Sequence, residues 1–60
     1  MPVITVEASK LTKEQKRKLV KELTTSAANT MNLPEQAFFV FIKENEKDNI
    51  GVAGELLSDR

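Results

Sequence analysis

The chain has 60 residues, and nine Lys and Arg balance nine Asp and Glu, so its formal net charge is zero at pH 7. This length predicts one domain, residues 1–60, and the neutral balance excludes a protein that binds nucleic acid through bulk positive charge. Cysteine and histidine are both absent, which excludes disulfides, Cys/His zinc sites, thiol nucleophiles and histidine-based triads.

The apolar segments are short. The longest apolar run, residues 37–42, falls far below the ~20 residues that a membrane-spanning helix needs. The amino terminus lacks the basic flank and long apolar stretch of a signal peptide. We therefore expect a cytoplasmic protein with no membrane partner.

A strand is predicted at residues 2–7, where β-branched residues dominate. A helix is predicted next, from about Lys13 to about Met31, because apolar residues recur there at helical spacing. Thr12 and Gln15 have the spacing of a capping box at its start. Asn32 suits a cap at its carboxyl end.

A second strand is predicted at residues 37–43 and is apolar on both faces. Alternation along the strand places Phe38, Val40 and Ile42 on one side and Phe39 and Phe41 on the other. Residues 44–49 are polar and predict a turn or loop. Residues 50–54, which contain two glycines, indicate a small hairpin or a backbone close to a ligand. Residues 55–60 are expected to form a tail.

Strand, helix and strand in this order predict an α/β protein made of one β-α-β unit with parallel strands and a right-handed crossover. A single helix covers only one face of a two-stranded sheet, yet the second strand is apolar on both. A small domain with no disulfide gains stability by association. We therefore expect self-association through the sheet. The alternative is that these residues lie on a partly exposed edge.

The charged segments favour solvated surfaces over sites. Residues 10–21 are rich in lysine, but without interleaved aromatic residues they predict a solvated helix face rather than a nucleic-acid interface. Lys16 differs, because it lies near the apolar stripe and can extend its ammonium over the sheet edge. Lys43 and Lys47 are interleaved with Glu44, Glu46 and Asp48, and this mixture predicts a solvated turn. No carboxylate spacing suggests a metal site.

Among the side chains and terminal groups of this histidine- and cysteine-free sequence, Pro2 is the candidate catalytic group. An initiator methionine is usually removed when the next residue is as small as proline, which would expose a secondary amine at the start of a core strand. An α-amino group ordinarily has a pKa of about 7.7–8.0, and apolar surroundings lower it by disfavouring the ammonium. A neutral amine can act as a general base or nucleophile. With Met1 attached, the nitrogen is an amide and cannot be a base.

The order of these motifs resembles the 4-oxalocrotonate tautomerase family over nearly the whole chain. The resemblance rests on Met1-Pro2, Thr12–Lys16, Leu33-Pro34, residues 39–44 and Gly51–Leu56. It implies a β-α-β protomer with a short carboxyl-terminal hairpin, sheets that pair between protomers, and a homohexamer built as a trimer of dimers. It also implies cofactor-independent tautomerisation of small 2-oxo/2-hydroxy (di)enoic acids, with Pro2 as the base.

Three positions depart from the family pattern. Leu11 stands where an arginine usually precedes the helix cap, and Lys10 beside it is the candidate replacement charge. Phe39 replaces an arginine in the second strand, and Ile50 replaces an aromatic residue before the hairpin glycine. The expected site is therefore Pro2 as the catalytic residue, with Lys10, Phe39 and Ile50 as substrate-binding residues and no metal. The lost arginines favour a smaller or less charged substrate.

Two other functions stay open. A non-catalytic oligomeric binding or assembly module could keep this fold, and the lost arginines favour that interpretation. A related dehalogenase-like lyase would need a carboxylate positioned to activate water, and no residue is an evident candidate.

Overall fold

Two parallel strands and one helix form the body of the molecule in the computed structural model, which describes residues 1–60. The elements are β1 (Val3–Ala8), α1 (Lys13–Met31), β2 (Phe39–Glu44), β3 (Gly51–Val52) and β4 (Glu55–Leu56). Short 3₁₀ turns lie at Glu35–Ala37, Lys47–Asn49 and Leu57–Asp59. No helix combines the length and the apolar character needed to cross a membrane.

Strands β1 and β2 pair in parallel, from Val3 opposite Phe39 to Ala8 opposite Glu44. This confirms the predicted β-α-β unit. Strand β2 begins two residues later than predicted, because the chain after Pro34 first forms a 3₁₀ turn in which the Ala37 N–H donates to the Pro34 carbonyl at 3.1 Å. It also extends one residue further, so Glu44 belongs to the strand rather than to the loop.

Helix α1 has the predicted bounds. The Gln15 N–H donates to Thr12 Oγ1 at 3.1 Å, and the Thr12 N–H donates to Gln15 Oε1 at 2.9 Å, which confirms the capping box. Asn32 adopts a left-handed conformation (φ 58°), and its N–H donates to the Ala28 carbonyl. Asparagine tolerates this conformation better than most residues, so the helix ends where the sequence predicts.

The two faces of the β1–β2 sheet differ sharply. Ile4, Val6, Val40 and Ile42 are half-buried, and in the whole chain only Ala28 is buried. On the opposite face Val3, Phe39 and Phe41 are 49%, 49% and 58% exposed. The predicted alternation is confirmed, and one apolar face, here called the open face (Val3, Phe39 and Phe41), has no cover from the same chain.

The carboxyl-terminal segment folds back as a hairpin, in which Gly51 pairs with Leu56 and Val52 with Glu55. Ala53 and Gly54 both have positive φ, 53° and 79°, as a two-residue type I′ turn requires. The predicted tail is therefore wrong. The Leu57 N–H donates to the Ile50 carbonyl at 2.9 Å and holds this segment against the chain.

Candidate active site

Pro2 lies at the amino end of β1, where its ring is half-buried. Its carbonyl accepts a hydrogen bond of 3.1 Å from the Phe39 N–H, so its backbone is held against the start of β2. Met1 is 84% exposed, which leaves the bond between Met1 and Pro2 accessible to a processing enzyme. Removal of Met1 would convert the Pro2 nitrogen from an amide into a secondary amine.

The strand residues next to Pro2 are uncharged. Phe39 pairs with Val3 and contributes an exposed aromatic side chain to the open face. The charged residues of this sheet, Glu7, Lys43 and Glu44, all lie in the last two of its six register pairs. The amino end of the sheet therefore has no charged side chain of its own.

Lys10 lies beyond the other end of β1, in the loop that leads to α1, and it is exposed. It lines a cavity of about 280 Å³ together with Glu44, Asn45 and Glu46. Its ammonium forms no salt bridge, since the ion pairs of the chain join Lys16, Arg17 and Arg60 to other carboxylates. Lys10 is thus a free cation at the rim of a polar cavity.

Glu44, which the sequence places in a solvated turn, binds this loop instead. Its Oε2 accepts from the Leu11 N–H at 2.8 Å, and its Oε1 accepts from Lys16 Nζ at 2.9 Å. The Leu11 N–H is the largest influence that holds the pKa of Glu44 below its ordinary value, and the Lys16 hydrogen bond adds to it. Glu44 is therefore ionised at neutral pH. The only signal in the sequence was Lys16 near the apolar stripe.

Ile50 is half-buried directly before β3. It lines a cavity of about 480 Å³ whose walls also include Glu7, Ala8 and Ser9 at the carboxyl end of β1. Its side chain, with those of Ala8 and Leu57, gives this cavity its apolar lining.

The structure therefore divides the expected site residues into two groups. Pro2 and Phe39 lie together at the amino end of the sheet, whereas Lys10 and Ile50 lie at the carboxyl end. Six residues of β1 separate the ends, which at ~3.3 Å per residue is about 20 Å. A single chain does not bring all four residues together. Its acidic side chains form no group of three that could hold a metal ion.

The tautomerase family model, described as "Tautomerase enzyme", matches residues 2–60. The chain belongs to the tautomerase family. It is 43% identical over 60 residues to the 2-hydroxymuconate tautomerase of Bacillus subtilis (strain 168), with 98% of this chain and 97% of that protein covered.

Solved structures agree with this assignment. YwhB, a homologue of 4-oxalocrotonate tautomerase, has a TM-score of 0.93 at 42% identity and covers 98% of both chains. DmpI from Archaeoglobus fulgidus has a TM-score of 0.89 at 36% identity, with 97% of this chain and 100% of that chain covered. These relatives confirm the resemblance drawn from the sequence and the α/β fold, and they identify the chain as a tautomerase-type isomerase.

Proposed function

We propose that the chain, after loss of Met1, interconverts the keto and enol forms of a small 2-oxo/2-hydroxy (di)enoic acid with the Pro2 amine as general base. The observation that carries this proposal is the position of Pro2: it is half-buried at the apolar end of the sheet, and the family match begins at this residue. Low polarity around an amine favours its neutral form, which is the form that accepts a proton.

The proton transfer balances without a cofactor. The neutral Pro2 nitrogen takes the proton from the enol hydroxyl, so the O–H bond breaks and a dienolate or enolate forms. The same proton returns to the carbon atom, a C–H bond forms, and the amine is neutral again. Negative charge on the enolate is stabilised by a nearby cation.

Lys10 is the proposed cation for the substrate carboxylate, as a point charge rather than a bidentate fork. Because it lies at the opposite end of the sheet from Pro2, a complete site takes Pro2 and Phe39 from one protomer and Lys10 and Ile50 from another. Burial of the open face would stabilise the assembly, because full burial of each such apolar side chain contributes about 1.5–3 kcal/mol of free energy. We propose a homo-oligomer paired through its sheets, with the hexamer as the expected state.

Phe39 bears on the choice of substrate. An apolar side chain beside Pro2 offers no counter-charge to a second carboxylate, and a buried unpaired charge is costly. A monocarboxylate enol such as phenylenolpyruvate therefore fits this end better than a dicarboxylate. One relative is named 2-hydroxymuconate tautomerase, so 2-hydroxymuconate is the dicarboxylate whose rate is compared with that of the monocarboxylate. A lyase that activates water is disfavoured, because the first four register pairs of the β1–β2 sheet contain no carboxylate. Cytoplasmic location stays a prediction.

The test compares synthetic chains with and without Met1, and ketonisation is followed by the loss of enol absorbance. The chain without Met1 should be active, and the chain with Met1 should not. Pro2→Ala in the shorter chain should lower kcat/KM by at least about 10²-fold, the scale of general-base catalysis. Pro34→Ala, which changes the other, exposed proline, is the matched control and should retain activity. An unchanged rate in Pro2→Ala would remove Pro2 from its role, and an inactive trimmed chain would favour the non-catalytic module.

A further inference from the structure

The loop between β1 and α1 is held at two points. Thr12 is held by the capping box, and the N–H of Leu11 is held by Glu44 Oε2 at 2.8 Å. That N–H belongs to the peptide bond that joins Lys10 to Leu11. Because a peptide unit is planar, a hydrogen bond to its N–H fixes the orientation of the whole unit that follows the Lys10 Cα.

Both oxygens of the Glu44 carboxylate are engaged, since Oε1 accepts from Lys16 Nζ at 2.9 Å. The side chains of Lys16 and Glu44 are 36% and 35% exposed, so the pair is only partly screened by water. Lys16 neutralises Glu44, and Lys10 keeps its own charge unpaired beside the 280 Å³ cavity. The Glu44 carboxylate of β2 thus joins the strand to the loop at Leu11 and to helix α1 at Lys16.

We infer that Glu44 is a positioning residue of this enzyme: by binding the Lys10–Leu11 peptide and engaging Lys16, it directs Lys10 towards the substrate carboxylate. This inference rests on the proposed function, in which Lys10 binds the substrate. Glu44 itself is an anion and does not bind the substrate; it acts through the backbone of its neighbour.

Two substitutions at Glu44 separate positioning from simple charge. Glu44→Gln and Glu44→Leu remove the same negative charge, but glutamine keeps an oxygen that accepts from the Leu11 N–H. If Glu44 acts only through charge, both variants make the site more positive and lower the KM for an anionic enol to the same extent. If Glu44 positions the loop, KM rises, and it rises more in Glu44→Leu. We expect about a fivefold rise in Glu44→Leu, a smaller rise in Glu44→Gln and a nearly constant kcat, since uniform binding is what is lost.

Glu14→Gln is the matched control. Glu14 is in the first turn of the same helix, pairs with Arg17 and carries the same charge, but it has no hydrogen bond to the loop. Its KM should stay at the wild-type value. Thermal unfolding of each variant shows whether the fold is retained.

A binding measurement that needs no turnover tests this inference separately from the proposed function. Cinnamate, which is phenylenolpyruvate without its enol hydroxyl, is titrated into trimmed wild type and the Glu44 variants, and the Lys10 and Leu11 amide resonances are followed. Weaker cinnamate binding in Glu44→Leu than in Glu44→Gln supports the inference even if no variant turns over an enol. The inference is overturned if both Glu44 variants bind cinnamate as tightly as the wild type or more tightly. It is also overturned if cinnamate leaves the Lys10 resonance of the wild-type protein unmoved. Failure of Pro2→Ala to reduce turnover contradicts the proposed function alone.

Discussion

The two ends of the parallel sheet carry opposite kinds of chemistry. The amino end, with Pro2, Val3 and Phe39, is apolar and has no charged side chain in its first four register pairs. The carboxyl end adjoins Lys10 and Glu44 and carries a network of hydrogen bonds that spans a loop, a strand and a helix. The proposed base needs the first environment and the proposed carboxylate substrate needs the second, and this is why we propose that a complete site is shared between two copies of the chain.

The largest expected effect on assembly and activity comes from placing a charge on the open face. Phe41 is 58% exposed on it, and an aspartate there would place a charge in the proposed interface, where an unpaired charge is costly. Phe41→Asp should dissociate the assembly in sedimentation equilibrium and abolish turnover in parallel. Met31→Asp is the control, since Met31 is 54% exposed but lies at the end of α1, away from this face. An assembled Phe41→Asp protein would contradict the proposed interface.

A mixing experiment sharpens the comparison between the ends. Pro2→Ala and Lys10→Ala each remove one end of the site, and each should be nearly inactive alone. If one site uses Pro2 from one copy and Lys10 from another, unfolding the two variants together and refolding them restores both groups in about a quarter of sites by random assembly. Activity near that fraction is expected at equal concentrations. No recovery would place both groups in the same copy.

At the carboxyl end of the sheet, the stability of the fold also depends on the cap at the start of helix α1. Thr12→Ala removes the acceptor of the Gln15 N–H and should lower the free energy of unfolding by about 1 kcal/mol. Urea unfolding at fixed protein concentration measures this loss. Thr30→Ala, on the same helix but at an exposed site far from the cap, is the control and should change stability much less.

The smallest effect concerns pH and is confined to the carboxyl end. The pKa of Glu44 is lowered in the folded chain by the Leu11 N–H and by Lys16. Its contribution to stability is therefore fully present above the ordinary glutamate pKa of 4.5 and is lost as pH falls through the lower folded value. The unfolding free energy of the wild type should fall more steeply below this pH than that of Glu44→Gln. Parallel curves would mean that Glu44 adds no pH-dependent stability.

The sequence alone determined the helix, the parallel pairing and the alternation of the two sheet faces. These features follow from local patterns: a capping box at Thr12 and Gln15, asparagine at the helix end, and a period of two in the strands. It also singled out Pro2 as the candidate base, because no other residue of this composition would place an amine next to a core strand once Met1 is removed.

Only the tertiary structure decided how these pieces meet. Glu44 and Leu11 are 33 positions apart, so no local pattern pairs them. The last six residues fold back through the pairing of β3 with β4 and through the hydrogen bond from the Leu57 N–H to the Ile50 carbonyl, which the prediction of a tail missed.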